Sequence, residues 1–121
     1  MPRRREFAYL TTMGRRSGRE HTVELWFGVR GDTIYFLSGG GDRADWLRNA
    51  RANPRVKVRL GRTTLDGRAR ATEDRAEELT ARQTLATKYE SWVPGKRLSA
   101  WARSSLPLAV DLPRGALADD R

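Results

Sequence analysis

The sequence predicts a mainly β, α+β fold: a small barrel or rolled antiparallel sheet of about six strands with two to three inserted helices. Three features of the 121-residue chain carry that expectation. Short β-prone runs succeed one another through tight turns, and apolar residues within them alternate with period two. Two stretches of helical spacing interrupt the series, one after the third strand and a longer one before the last. Three antiparallel strands in direct succession argue against a doubly wound sheet. The length predicts one domain over residues 1–121, with a basic arm at 1–6 and a flexible tail at 113–121.

The first strand is expected from Phe7 to Thr12. After a turn spanning Gly14 to Gly18, the second runs from His21 to Val29, with Val23, Leu25, Phe27 and Val29 on one face and Thr22, Glu24 and Trp26 on the other. Arg30-Gly31-Asp32 reads as a hairpin turn into Thr33 to Ser38, which is apolar on both faces and therefore central. Asp42 is positioned to cap a helix over Arg43 to Ala52, which stops at Asn53-Pro54. Arg55 to Leu60 alternates strictly, sending Val56, Val58 and Leu60 inward and Arg55, Lys57 and Arg59 outward. The next strand, Thr63 to Ala71, carries Gly67, Ala69 and Ala71 on its inner face. Thr72 is the expected N-cap of a helix reaching Tyr89, with Ala76, Leu79, Ala86 and Tyr89 at helical spacing. Pro94-Gly95 breaks it, Leu98, Trp101 and Ala102 suggest a further helical turn, and Leu108 to Leu112 is the last strand.

Composition narrows the chemistry. The chain has no cysteine, which excludes disulfides, thiolate catalysis and iron–sulfur clusters; its single histidine, His21, excludes a multi-histidine metal site, and no metal is expected. A net charge of +9 favours anionic partners. Arginine outnumbers lysine heavily, since Lys57, Lys88 and Lys96 are the only lysines among 24 basic residues. No apolar stretch is long enough for a signal peptide or a membrane span, so a soluble, cytoplasmic protein without integral membrane association is expected. The cationic row Arg55, Lys57, Arg59 has no interleaved aromatics to stack on bases, which argues against a nucleic-acid partner.

The chemistry-bearing stretch is Leu10-Thr11-Thr12-Met13-Gly14-Arg15-Arg16-Ser17-Gly18-Arg19, a strand end that turns on glycine amid hydroxyls and arginines. This is the composition of an anion-binding hairpin: glycines let backbone N–H groups turn outward, and guanidinium forks match phosphate or carboxylate. A solvated basic turn would have the same composition in so arginine-rich a chain. Ser38-Gly39-Gly40-Gly41, between a strand and a helix, allows backbone to approach a phosphate or flat ring without matching the spacing of a P-loop or dinucleotide fingerprint. Trp46 and Asn49, three residues apart on the following helix, place an indole beside an amide. His21 reads as a polar edge residue, with no nucleophile motif beside it. Glu73, Asp74, Glu77 and Glu78 suit the positive end of a helix dipole.

Taken together, the Leu10-to-Gly18 turn, Ser38-Gly39-Gly40 and Trp46-x-x-Asn49-x-x-x-Asn53-Pro54 resemble the deazaflavin-dependent nitroreductase family, from about Phe7 to Leu112. The resemblance implies a split β-barrel of the FMN-binding-like kind and an oxidoreductase using coenzyme F420. A hydride would pass from the reduced coenzyme to a small electron-poor acceptor such as a quinone, nitroaromatic or activated alkene, with no catalytic side chain required. It also implies that Arg15, Arg16, Ser17 and Gly18 hold the phosphate side of the coenzyme. Ser38, Gly39 and Gly40, with Trp46 and Asn49, would lie along the deazaflavin. Tyr89 and Trp92, with Trp101 near, would shape the acceptor side. The loop before Trp46 is shorter than is usual in that family, and Gly39 stands where relatives tend to have lysine. Related split barrels bind FMN, the alternative cofactor, and a non-catalytic cofactor-binding module is the other alternative. Split barrels often pair, so a homodimer is a candidate assembly, with Trp26 at its interface.

Overall fold

The computed structural model describes residues 5–117. Seven strands lie in one antiparallel sheet: β1 (Ala8–Met13), β2 (Glu20–Leu25), β3 (Gly28–Arg30), β4 (Thr33–Ser38), β5 (Arg55–Leu60), β6 (Thr63–Arg70) and β7 (Leu106–Asp111). Their spatial order is β2-β1-β5-β6-β7-β4-β3, so two strands adjacent in sequence occupy opposite ends of the sheet. The helices are α1 (Asp45–Ala52), α2 (Arg75–Glu90) and α3 (Ala100–Ser104).

Alternation decides which side of each strand is buried. Leu10 of β1, Val58 and Leu60 of β5, and Val110 of β7 turn inward and are fully buried, meeting Ile34 and Phe36 from β4. Leu47 and Ala50 of α1 join this interior. β4 is buried on both faces because Tyr35 and Leu37 point outward against Ala81 and Leu85 of α2. The outward row Arg55, Lys57, Arg59 is exposed, as the alternation requires.

Several boundaries depart from the sequence reading. The run from His21 to Val29 is two strands rather than one, because the chain leaves the β1 side of the sheet at Leu25 and joins β4 at Gly28. Phe27 is removed from pairing at this crossing, and the Tyr89 hydroxyl accepts from its N–H at 3.0 Å. The same hydroxyl donates to the Glu6 carbonyl at 2.6 Å. Trp26 is not a free outward tryptophan: its ring stacks on Tyr89 at 4.3 Å and meets Trp101 edge-on at 5.4 Å. Gly28 is required here, since a Cβ would stand 2.6 Å from Thr84 Cγ2.

Helix starts also shift. Asp42 does not cap α1; Gly41–Arg43 form a 3-10 turn of their own, Ala44 stands at the N-cap without a side-chain bond, and α1 begins at Asp45. Gly41 has φ +61° and its carbonyl accepts from Ser38 Oγ, which holds the loop in a separate turn. The cap of α2 is Asp74 rather than Thr72, because Asp74 Oδ1 reaches the Glu77 N–H at 2.8 Å. α2 buries Ala81, Leu85 and Ala86, while Leu79 is 46% exposed, so the face that packs is rotated from the one expected. Gly67 in β6 makes room for β7, for a Cβ there would meet Val110 Cγ1 at 2.5 Å. β7 begins two residues earlier than expected, taking in Leu106 and Pro107 opposite Ser38 and Leu37.

The expected flexible tail is folded over its described part. Leu117 is fully buried, and Gly115 N–H donates to Asp32 Oδ1 at 2.9 Å. The remainder, 118–121, and residues 1–4 of the basic arm lie outside the described residues. Among the described residues, no helix is long and apolar enough to cross a membrane.

One ion-pair network ties β4, β6, β7 and α2 together. Arg70 donates to both Glu77 oxygens at 2.7 and 2.8 Å and to Asp111 Oδ2 at 2.6 Å, while Tyr35 donates to Glu77 at 2.7 Å and Thr33 to Asp111 at 2.8 Å. The Arg70 bonds hold the Glu77 carboxyl down to about 2, from an ordinary 4.5, and lower Asp111 as well. Burial, reinforced by Glu77, pushes the Tyr35 phenol up. Because the Glu77 carboxyl is more acidic folded than unfolded, its contribution is present above pH 4.5 and is lost as pH falls toward 2. The urea midpoint should therefore drop across that interval. Glu77→Gln should flatten the drop and cost about 1–3 kcal/mol at neutral pH. Equal acid slopes in the two proteins would contradict the assignment.

Candidate functional site

The β1–β2 hairpin is built to project polar groups past the end of the sheet. Gly14 N–H donates to the Arg19 carbonyl at 2.7 Å and Gly18 N–H to the Gly14 carbonyl at 2.9 Å, which closes the loop on itself. Gly18 sits at φ +71°, where a side chain would be strained. The helix facing this loop presents Asp45, Trp46 and Asn49 on one side, the neighbours that three- and four-residue spacing creates.

Between the two elements lies a cleft of about 460 Å³. Gly14, Arg15, Arg16 and Ser17 form the loop wall, Asp45, Trp46 and Asn49 the helix wall, and His21, Thr22 and Val23 of β2 the floor. The two arginines have different roles. Arg15 is turned into the structure: its backbone N–H and its Nη1 both donate to Asn49 Oδ1, at 3.1 and 2.8 Å, and its Nη2 pairs with Asp45 at 3.1 Å. Asn49, 4% exposed, is thus occupied as an acceptor by the hairpin. Arg16 is exposed and has no hydrogen-bond or ion-pair partner among the described residues.

Gly14 makes room for a polar convergence. A Cβ at that position would stand 2.6 Å from Ser17 Oγ and 2.7 Å from His21 Nε2, so the missing methyl is what lets both side chains close in over the Gly14 backbone. Ser17 Oγ accepts from the Arg19 N–H at 3.1 Å, which leaves the hydroxyl proton to donate. With Arg16 beside it, this set of donors fits an anionic oxygen, the demand that a phosphate-bearing coenzyme makes. Trp46 supplies a half-buried indole wall, held edge-on by Phe36 at 6.3 Å.

The sequence-predicted residues divide accordingly. Arg15, Arg16, Ser17, Trp46 and Asn49 come together around the cleft, while Gly18 closes the turn behind it. Ser38, Gly39 and Gly40 do not line it. Ser38 is buried and donates to the Gly41 carbonyl, Gly39 lies against the Trp101 indole, and Gly40 precedes the 3-10 turn. Tyr89 lies beneath Trp26 at the strand crossing, and Trp92 donates to the Lys96 carbonyl at 2.7 Å beyond the end of α2. The sequence reading missed the place of His21 in the cleft. The signal was there, since the alternation that turns Val23 inward puts His21 on the same face, opposite Thr12.

A family model described as F420H(2)-dependent quinone reductase matches residues 3–113. Solved structures share the fold. The F420-H2 dependent reductase FDR-A is 26% identical, with 92% of this chain and 97% of that one covered and a TM-score of 0.60. A structure described as a domain-swapped dimer is 25% identical over 90% of this chain and 81% of that one, with a TM-score of 0.61. The conserved hypothetical protein Rv2991 from Mycobacterium tuberculosis is 17% identical over 91% and 74%, with a TM-score of 0.70, a likeness of fold.

Asn49 is the residue on which the shape of the cleft turns. Asn49→Ala leaves two Arg15 donors without their acceptor and should cost about 1–3 kcal/mol in urea unfolding. Asn49→Asp, which keeps an oxygen in place, should recover most of the loss. Equal destabilisation by both would contradict the anchoring role.

Proposed function

The chain belongs to the F420H(2)-dependent quinone reductase family, an oxidoreductase family whose coenzyme is F420, and from that premise we propose how its cleft is used. Arg16 and Ser17 take the anionic end of the coenzyme, and Arg15, fastened to Asn49 and Asp45, holds the hairpin in position for them. Trp46 lies along the ring system. Ser38 to Gly40 stand outside the cleft and shape the turn that leads into α1, and so set where Trp46 stands. The observation that carries this reading is the convergence of Ser17 Oγ and His21 Nε2 over Gly14, beside an exposed Arg16.

When bound, reduced F420 supplies a hydride from its ring carbon. The protein's part is positioning and electrostatics. Arg16 neutralises charge at one end of the cleft, and the indole of Trp46 gives the flat ring an apolar wall from which water is excluded. We assign the acceptor to small electron-poor molecules, a quinone, nitroaromatic or activated alkene. Their site is set by the aromatic corner of Trp26, Tyr89 and Trp101, with Trp92 beyond it. In this corner Tyr89 presents its ring, because its hydroxyl is bonded to Phe27 and Glu6.

Arg16→Ala should weaken F420 binding by roughly 1.5–3 kcal/mol, about one to two decades in Kd, in a titration at fixed salt. Wild-type protein should bind F420 in preference to FMN. An Arg16→Ala protein with undiminished affinity would overturn the placement of the anionic end.

A further inference from the structure

His21 is the chain's only histidine, and it lies in a cleft whose other charged side chains are Arg15, Arg16 and Asp45. Its position is set by the fold. β2 alternation puts it on the same face as Val23, opposite Thr12 and exposed, and the absence of a side chain at Gly14 lets the imidazole edge come forward beside Ser17. The Ser17 Oγ to His21 Nε2 distance is 3.4 Å, at the long limit of a hydrogen bond, so the ring nitrogen is not committed to that partner.

We propose that His21 is a proton-dependent ligand for the anion held in this cleft, donating from Nε2 to an anionic oxygen that Arg16 and Ser17 also contact. The inference rests on the reading that the cleft takes the coenzyme's anionic end, and adds a residue and a pH response to it. The charges facing the imidazole are accounted for. From the hairpin come Arg15, Arg16 and Arg19. From α1 comes Asp45, paired with Arg15 at 3.1 Å. Glu20, next in β2, faces the other way and pairs with Lys57 at 3.6 Å. An anion bound against the ring attracts a proton to it, so anion binding and proton uptake at His21 favour each other. That coupling is reciprocal by linkage: a tenfold gain in anion affinity on protonation requires the anion to raise the imidazole titration midpoint by about one pH unit.

The test uses sulfate as the probe, because its charge is constant across the interval in which imidazole titrates. The lone histidine gives a single imidazole NMR signal, followed between about pH 5 and pH 8 with and without sulfate. Saturating sulfate should move its midpoint up by about one unit, and the sulfate Kd should rise about tenfold from the low to the high end. His21→Gln should bind sulfate with one affinity across the range. An unmoved midpoint together with a pH-independent Kd would overturn the role of His21 and leave the anion cleft standing. Absence of sulfate binding at either end, with F420 affinity indifferent to Arg16→Ala, would overturn the cleft itself.

Discussion

Two residues, Trp26 and Phe27, carry the chain from one end of the sheet to the other, and the barrel depends on what happens to the backbone they withdraw from pairing. A buried peptide group without a partner costs on the order of 1–3 kcal/mol, which a domain of this size cannot absorb repeatedly. The Tyr89 hydroxyl answers the Phe27 N–H and ties the Glu6 carbonyl to the same point, while Lys88 lies over the Phe27 ring at 3.3 Å. Trp26 caps the junction by stacking on Tyr89. The last turn of α2 is therefore part of the barrel's closure as well as a cover for β4.

That closure places the functional cleft. With β2 held beside β1, their connecting loop must project beyond the sheet, and α1, plugged into the interior through Leu47 and Ala50, stands opposite it. The Arg15–Asn49 bonds then fasten loop to helix. Of two adjacent arginines, one is consumed in building the cleft and the other is left facing it. A chain with a net charge of +9 can contain many arginine pairs, and it is this division of labour that separates a binding hairpin from a basic turn.

The charge distribution follows the same logic at the far side of the molecule. Arg70, only part-exposed, is matched by two carboxylates, one of which also accepts from Tyr35, so that the excess of positive charge is carried by exposed residues such as Arg16, Arg55 and Arg59. Cations matched by carboxylates hold elements together, and exposed ones give the surface its attraction for anions.

By itself the sequence determined the β-rich class, the alternation of β1 and β5, the burial of β4 on both faces, the order of strands and helices, and the Gly-Arg-Arg-Ser-Gly hairpin followed by Trp46 and Asn49. These depend on neighbours within a few residues, and period and turn chemistry report them directly. It also carried the family resemblance over nearly the whole chain. Only the tertiary structure decided that the run from His21 to Val29 breaks in two. An unbroken alternation contains no mark of a strand that must change its partner, and the compensating hydroxyl comes from a helix 62 residues away. The same distance in sequence hid the rotated face of α2, the burial of Leu117, and the separation of Arg15 from Arg16. Identical side chains acquire different roles when one of them meets an acceptor 34 positions further along, and no local pattern encodes which one will.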